Sequence, residues 1–124
     1  MRDNCPMITL YGIPNCDTVK KARTWLNSHG IEYRFHDFKK DGVPANELTR
    51  WLDALGWEAV INRRGTTWRG LDEATRTAVT GPDTARDVAL AHPSVIKRPI
   101  VDWDAAHGGG ITAGFDAAAW ERRR

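Results

Sequence analysis

The first third of the chain contains two apolar runs separated by one amphipathic stretch. An apolar run over residues 7–11, which ends at Gly12, predicts a buried strand, and the alternation over residues 31–36 predicts a second, half-buried strand. Between them, apolar side chains at helical spacing predict a helix over residues 17–29 that is closed by Gly30. The apolar stripe of this helix consists of Val19, Ala22 and Leu26. Because β-α-β units are right-handed and their strands run parallel, we expect a parallel pair here.

The middle of the chain, about residues 44–92, is predicted to be mostly helical, in short pieces. Pro44 suits the first helical position, and Gly56 ends the first of these helices. The apolar residues of that helix are Leu48, Trp51, Leu52 and Leu55. Residues 63–67 are predicted to form a polar loop, and residues 81–83 mark a stop followed by a new helix start.

Strand patterns return in the last third of the chain. Residues 95–97 and 100–103 have strand character, and the glycines of residues 108–110 predict a turn into a short strand over residues 111–113. Residues 115–122 predict a final helix.

This order of elements is β-α-β, a helical block, β-β and then α, which favours an α/β fold with a mixed four-stranded sheet. The 124 residues suit one domain with one hydrophobic core. We therefore predict a single domain over residues 7–124, with a helical insertion at about residues 44–92 and a disordered extension over residues 1–6.

Composition narrows the function classes. Eighteen basic and 16 acidic residues give a net charge of only +2, which does not favour a nucleic-acid binder. No apolar run approaches the roughly 20 residues that span a bilayer, and the start lacks the apolar stretch of a secretory signal. The four histidines are scattered and none pairs with a cysteine at zinc-finger spacing, so no metal site is expected. No bound cofactor is predicted either. We predict a cytoplasmic monomer with no membrane partner.

Cys16 carries the candidate chemistry. It follows the predicted turn that contains Asn15, directly before the first helix, and helix N-termini stabilise thiolates and bind anions. Ile13 lies three residues earlier, so no C-x-x-C motif is present. An inert apolar cysteine is the alternative interpretation, which the polar neighbours Asn15 and Thr18 disfavour. The other cysteine, Cys5, lies in the predicted extension and is expected to be silent.

Arginines supply the positive groups that a thiolate or an oxyanion requires. Arg64, with Arg63 as its alternative, lies in the predicted polar loop, and Arg98 precedes a predicted strand. The following residue, Pro99, is placed at the mouth of that strand, where an X-Pro bond can be cis.

Several ordered blocks resemble the arsenate reductase-like family, and within it the YffB subgroup. The block with the candidate thiol, residues 10–23, resembles the active-site stretch of that family. The other similar blocks are residues 31–38, 64–69 with 71–73, and 92–93 with 96–100. They follow the order of the family over about residues 8–115.

The resemblance implies a thioredoxin-like core with a helical insertion, and Cys16 as the nucleophile. The residues that it implies for binding substrate or glutathione are Asn15, Arg64 (or Arg63), Arg98 and Pro99, the last as a cis-proline. It further implies a glutathione-dependent thiol reductase that passes through a mixed disulfide. Its partners would be glutathione, another small thiol or a protein disulfide.

Two departures from the family pattern disfavour arsenate as the native substrate. Residues 111–115 contain no counterpart of the third arginine of the family's arsenate reductases, and Asp17 adds a carboxylate beside the thiol. Two other functions stay open. One is a regulator that contacts RNA polymerase, as in the Spx branch, although Ile13 excludes the C-x-x-C switch of that branch. The other is a non-catalytic binding domain.

Overall fold

The computed structural model describes residues 8–123. Within this range the chain divides into two compact units: a first unit that comprises residues 8–41 and 98–123, and a second unit that comprises residues 42–97. The predicted extension over residues 1–6, with its Cys5, lies outside the described residues.

A mixed four-stranded sheet forms the centre of the first unit, as predicted. Its strands are β1 (Ile8–Gly12), β2 (Tyr33–Asp37), β3 (Ile100–Asp102) and β4 (Ile111–Ala113). Their order across the sheet is β2-β1-β3-β4. β1 and β2 are parallel, as expected for a β-α-β unit, whereas β3 pairs antiparallel with both β1 and β4.

Helices lie between and after the strands in both units. In chain order they are α1 (Asp17–Ser28), α2 (Phe38–Asp41), α3 (Ala45–Leu55), α4 (Trp57–Val60), α5 (Thr66–Gly70), α6 (Glu73–Ala78), α7 (Pro82–Ala91) and α8 (Ala117–Glu121). Short 3-10 turns occupy Pro93–Val95 and Ala105–His107. Among residues 8–123, no helix has both the length and the apolar character needed to cross a membrane.

The core of the first unit lies between α1, α8 and one face of the sheet. The predicted stripe of α1 is confirmed, since all three of its residues are fully buried. The members of this core are Ile8, Leu10, Val19, Ala22, Leu26, Val101, Trp103 and Trp120. Burying each large apolar side chain of this kind contributes roughly 1.5–3 kcal/mol, so the sheet and α1 stabilise one another.

An aromatic cluster attaches α8 to this core. The ring of Trp120 makes edge contacts with Trp103, Phe115 and Trp25, at centroid distances of 4.9, 4.7 and 5.5 Å. These distances suit the attraction between the edge of one aromatic ring and the face of another. The indole N–H of Trp103 donates to Thr112 Oγ1 at 2.9 Å, which links the cluster to β4.

The second unit is built around the buried face of α3, on which Leu48, Trp51 and Leu52 lie as predicted. Gly56, with φ of +85°, ends this helix in a conformation that L-residues rarely adopt. An isolated antiparallel bridge joins Ile61 to Ile96.

Two predicted strand assignments were wrong. Residues 95–97 do not form a strand of the sheet, because Pro93–Val95 is a 3-10 turn and Ile96 makes only the isolated bridge. The second strand begins at Tyr33 rather than residue 31, because the Ile31 N–H is used to close α1. It donates to the Leu26 carbonyl at 3.0 Å.

Three helix boundaries also differ from the predictions. Thr66 begins α5 instead of belonging to a polar loop. Pro44 is the N-cap of α3 rather than its first helical residue. The last helix starts at Ala117 and not at residue 115, because the Asp116 carboxylate accepts hydrogen bonds from the N–H groups of Ala118 and Ala119.

Asp72 caps a helix of the second unit, and its contribution to stability should depend on pH. It is the N-cap of α6, and its carboxylate accepts a hydrogen bond from the Thr75 N–H at 2.9 Å. Hydrogen bonding to the side chain and then to the N–H of Thr75 holds the pKa of Asp72 below its ordinary value of 3.8, and Arg76 adds a smaller electrostatic effect. A lowered pKa in the folded state stabilises the fold above the unfolded pKa, and this contribution is lost as the pH falls through the folded pKa.

We expect Asp72→Ala to lower the melting temperature at pH 7, and the difference from wild type to shrink below about pH 4. Thermal unfolding of both proteins across this range measures the effect. Asp72→Asn is the matched control, because asparagine keeps a capping oxygen but carries no charge. A deficit of Asp72→Ala that is the same at pH 7 and pH 3 would contradict the assignment of the cap.

Candidate active site at the start of the first helix

Cys16 is the N-cap residue of α1. Its φ and ψ of −96° and 127° are extended, and its carbonyl accepts the first helical hydrogen bond, from the Lys20 N–H at 2.9 Å. Its own N–H donates to the Ile13 carbonyl at 3.3 Å, which closes the turn between β1 and α1. The thiol side chain is half-buried and packs against the core of the first unit. The position predicted from the sequence is therefore the position found.

The first turn of α1 is suited to a negative charge beside Cys16. The leading N–H groups of a helix have no acceptor within the helix, and they carry the positive end of its dipole. The Cys16 side chain makes no capping hydrogen bond to them. These groups can therefore stabilise a thiolate or hold a small anion.

Gly12 lets α1 begin close to the end of β1. A Cβ atom at this position would lie 2.8 Å from Val19 Cγ2, a distance at which one of the two must move. Val19 is fully buried in the core, so it has little room to yield. The absence of a side chain at Gly12 thus sets the position of the helix start, and with it that of Cys16.

Pro99 and Arg98 precede β3, at the end of the sheet where β1 leads into Cys16. The Arg98–Pro99 peptide bond is cis, as expected from the sequence. Tyr11 pairs with Ile100 in the antiparallel register, so Pro99 comes beside the end of β1, where the chain turns into α1. The Pro99 carbonyl accepts a hydrogen bond from the Gly114 N–H at 2.8 Å, which ties it to the end of β4. Arg98 is half-buried, and Asn15 is exposed in the turn before Cys16.

Arg63 and Arg64 belong to the second unit, directly before α5. The Arg63 guanidinium lies 3.5 Å from the Glu58 carboxylate and over the ring of Trp57. The Arg64 N–H donates to Asn62 Oδ1 at 3.2 Å, while its exposed side chain pairs with no carboxylate in the described part of the chain. Arg64 is therefore the better candidate of the two, and its role at Cys16 stays a prediction.

An aromatic group at the ends of the parallel strands was not predicted from the sequence. Tyr11 and His36 are partners in the register of β1 and β2, with ring centroids 5.2 Å apart, and Phe38 is stacked 6.4 Å from Tyr11. Alternate residues of a strand face opposite sides, so these rings lie on the face away from α1. The sequence carried one signal for this group, because Tyr11 and His36 are the last residues of the two predicted strands of the β-α-β unit.

Comparison with known proteins decides the family. The model of the ArsC family matches residues 11–122, nearly the whole chain. The chain belongs to the ArsC family. The resemblance noted for its ordered blocks is thereby confirmed.

Three relatives of this ArsC-family protein are similar to it over most of the chain. The structure of a YffB protein superposes with a TM-score of 0.84 and 45% identity, covering 93% of this chain and 96% of that one. A protein of Haemophilus influenzae, described only as uncharacterized, is 48% identical over 95 residues, or 77% of this chain and 82% of its own length. The global transcriptional regulator Spx of Streptococcus pyogenes is 29% identical over 98 residues, or 77% of this chain and 71% of its own. The superposition on YffB confirms the predicted thioredoxin-like α/β fold.

The contact between Gly12 and Val19 can be tested by a double-mutant cycle. We expect Gly12→Ala to lower the free energy of unfolding by about 1–3 kcal/mol, because the added methyl group forces α1 away from β1. Val19→Ala removes the clashing atom, so the double variant should be less destabilised than the sum of the two single variants, by about 1 kcal/mol. Denaturant unfolding of the four proteins measures this coupling. Additive losses would show that the two residues do not compete for the same space.

The electrostatic effect of Asp17 can be measured on Cys16 itself. Asp17 is exposed in the first turn of α1, next to Cys16, and its charge should repel an anionic reagent. We expect Asp17→Asn to raise the ratio of the iodoacetate to the iodoacetamide alkylation rate roughly two- to fivefold. Glu32→Gln, an exposed residue beyond the other end of α1, is the control and should leave the ratio unchanged. An unchanged ratio in Asp17→Asn would remove the electrostatic argument against arsenate.

Proposed function

We propose that this ArsC-family protein is a thiol–disulfide oxidoreductase in which Cys16 is the nucleophile and glutathione is the reductant. The observation that carries the proposal is the position of Cys16 as the half-buried N-cap of α1, at the end of the sheet where Pro99 directly precedes β3. Thiolates are the reactive form of cysteine, and helix N-termini stabilise them.

In this proposal the second thiol of the reaction comes from another molecule. Ile13 occupies the place where a C-x-x-C motif would have its first cysteine, and it is buried with 5% of its surface exposed. Cys16 is the one free cysteine among residues 8–123. We propose that an external thiol resolves the mixed disulfide on Cys16, and glutathione is the abundant candidate in reducing compartments.

The reaction balances in two exchange steps. The Cys16 thiolate attacks the glutathione sulfur of a glutathionylated substrate, which forms a Cys16–glutathione disulfide and releases the substrate as a thiolate. The thiolate of a second glutathione then attacks the glutathione sulfur of that disulfide and regenerates the Cys16 thiolate. The products are the reduced substrate thiol and oxidised glutathione. One reduced glutathione is consumed, and its sulfur passes from the thiol to the disulfide level as the substrate sulfur passes from the disulfide to the thiol level.

Asn15, Arg64 and Arg98 are proposed to bind the glutathionyl group. Glutathione carries two carboxylates, which a planar guanidinium can bind through two parallel hydrogen bonds. Arg98 precedes Pro99 at the end of the sheet where Cys16 lies, which supports a binding role for Arg98. Asn15 is exposed and directly precedes Cys16. Arsenate is not the proposed substrate, because Asp17 adds a negative charge beside the thiol.

We expect Cys16→Ser to reduce the rate of deglutathionylation to that of the uncatalysed reaction, because serine cannot form the mixed disulfide. The assay follows release of glutathione from a glutathionylated peptide in the presence of reduced glutathione. Cys5→Ser is the matched control and should keep the wild-type rate. Mass spectrometry of wild-type protein treated with oxidised glutathione should place one glutathionyl group on Cys16.

A Cys16→Ser protein that keeps the wild-type rate of deglutathionylation would contradict the proposal. The similarity to Spx favours a regulator as the second candidate. Wild-type protein that exchanges no disulfide but retains RNA polymerase in a pull-down would establish the regulator instead. Absence of both activities would indicate a binding domain without catalysis.

A further inference from the structure

A shallow groove of about 410 Å³ lies on the solvent side of α1. It begins at Lys20 and Lys21, passes Trp25 and ends at His29, and Phe115 lines it from the chain that leads into α8. All of these residues belong to the first unit. We call this surface the α1 groove.

The floor of the α1 groove is apolar and rigid. Trp25 and Phe115 are half-buried, and both rings make edge contacts with the buried Trp120. The half of each ring that faces the groove is therefore held in place by the core. A preformed aromatic floor can bind an apolar side chain with little loss of conformational entropy.

The two ends of the α1 groove differ in charge. At the far end, His29 already has partners: its Nδ1 donates to the Trp25 carbonyl at 2.8 Å, and its Nε2 lies 3.1 Å from a Glu121 carboxylate oxygen. At the near end, Lys20 and Lys21 are exposed, and neither forms an ion pair with any carboxylate of residues 8–123. Lys20 and Lys21 are thus cations of the groove without an ion-pair partner among the described residues.

The charged end is also the end nearest to Cys16. The Lys20 N–H donates to the Cys16 carbonyl, so Lys20 follows Cys16 by one helical turn, a rise of about 6 Å along the axis. A molecule whose disulfide is held at Cys16 can therefore continue into the α1 groove.

We infer that the α1 groove docks an extended segment of a protein substrate that carries carboxylates near its reacting disulfide, followed by an apolar side chain. The carboxylates would contact Lys20 and Lys21, and the apolar side chain would cover Trp25 and Phe115. This inference rests on the proposed function, because it assigns protein disulfides of acidic, apolar character as the substrate class. The groove distinguishes such substrates from small disulfides, which do not reach it.

Binding can be measured without the exchange step, on Cys16→Ser protein. The probes are two fluorescent dodecapeptides with the same Leu and Phe residues, one with three Glu and the other with three Lys at the same places. Fluorescence anisotropy should show the acidic peptide bound about tenfold more tightly, because exposed ion pairs contribute modestly. Raising the ionic strength should reduce this preference.

Charge reversal locates the docking site. Lys20→Glu with Lys21→Glu should abolish the preference for the acidic peptide. Lys39→Glu with Lys40→Glu is the matched control, since these two adjacent lysines are exposed on α2 and change the net charge equally. The control should leave the preference unchanged within about twofold.

Equal affinity for the two peptides, or equal losses in the two charge-reversed proteins, would overturn the inference. The outcome is separate from that of the proposed function, because the exchange assay uses wild-type protein and a small glutathionylated peptide. Exchange without selective docking would leave the proposed function standing and refute the groove. Selective docking without exchange would support the groove as a docking surface and refute the catalytic role of Cys16.

Discussion

The close approach of α1 to β1 is the constraint on which the site of this protein depends. Gly12 has no side chain, so Val19 can lie against the end of β1, where an added methyl group would meet it at 2.8 Å. The rest of the helix follows from that contact, because Ala22 and Leu26 continue the same buried stripe. The helix start, with Cys16 as its N-cap, is thereby held at the carboxyl end of β1. Helix dipole, free N–H groups and thiol are brought together by packing rather than by any bond to the thiol.

Residues that are far apart along the chain lie together at the carboxyl end of β1. β3 runs antiparallel to β1, so its first residues meet the last residues of β1, and Pro99 arrives beside the turn that leads to Cys16. The hydrogen bond from Gly114 to the Pro99 carbonyl extends this arrangement to the end of β4. A partly exposed nucleophile is what an exchange reaction needs, since the attacked disulfide must align with the thiolate.

Chemistry and recognition are divided along α1 in the scheme proposed here. Cys16 lies before the first turn as the N-cap, and the next two turns present Lys20, Lys21 and Trp25 to solvent. Asp17 lies between these regions and disfavours a small dianion at the thiol, whereas a peptide carboxylate one turn further along would meet the lysines. The arrangement thus favours a protein or peptide disulfide over an inorganic anion, on the grounds of charge alone.

Local sequence determined the parts of this protein that depend on neighbouring residues. The stripe of α1, the stop at Gly56, the turn into β4 and the place of Cys16 at a helix start all follow from spacing, glycine conformation and capping, which act within a few residues. Tertiary structure decided the rest. Ile96 forms a bridge with Ile61 and not a strand of the sheet, and Trp25 and Phe115 line one groove because Trp120 supports both rings. These outcomes depend on partners far away in the chain, 35 residues for Ile61 and Ile96 and 95 residues for Trp25 and Trp120, so the pattern within one segment cannot predict them.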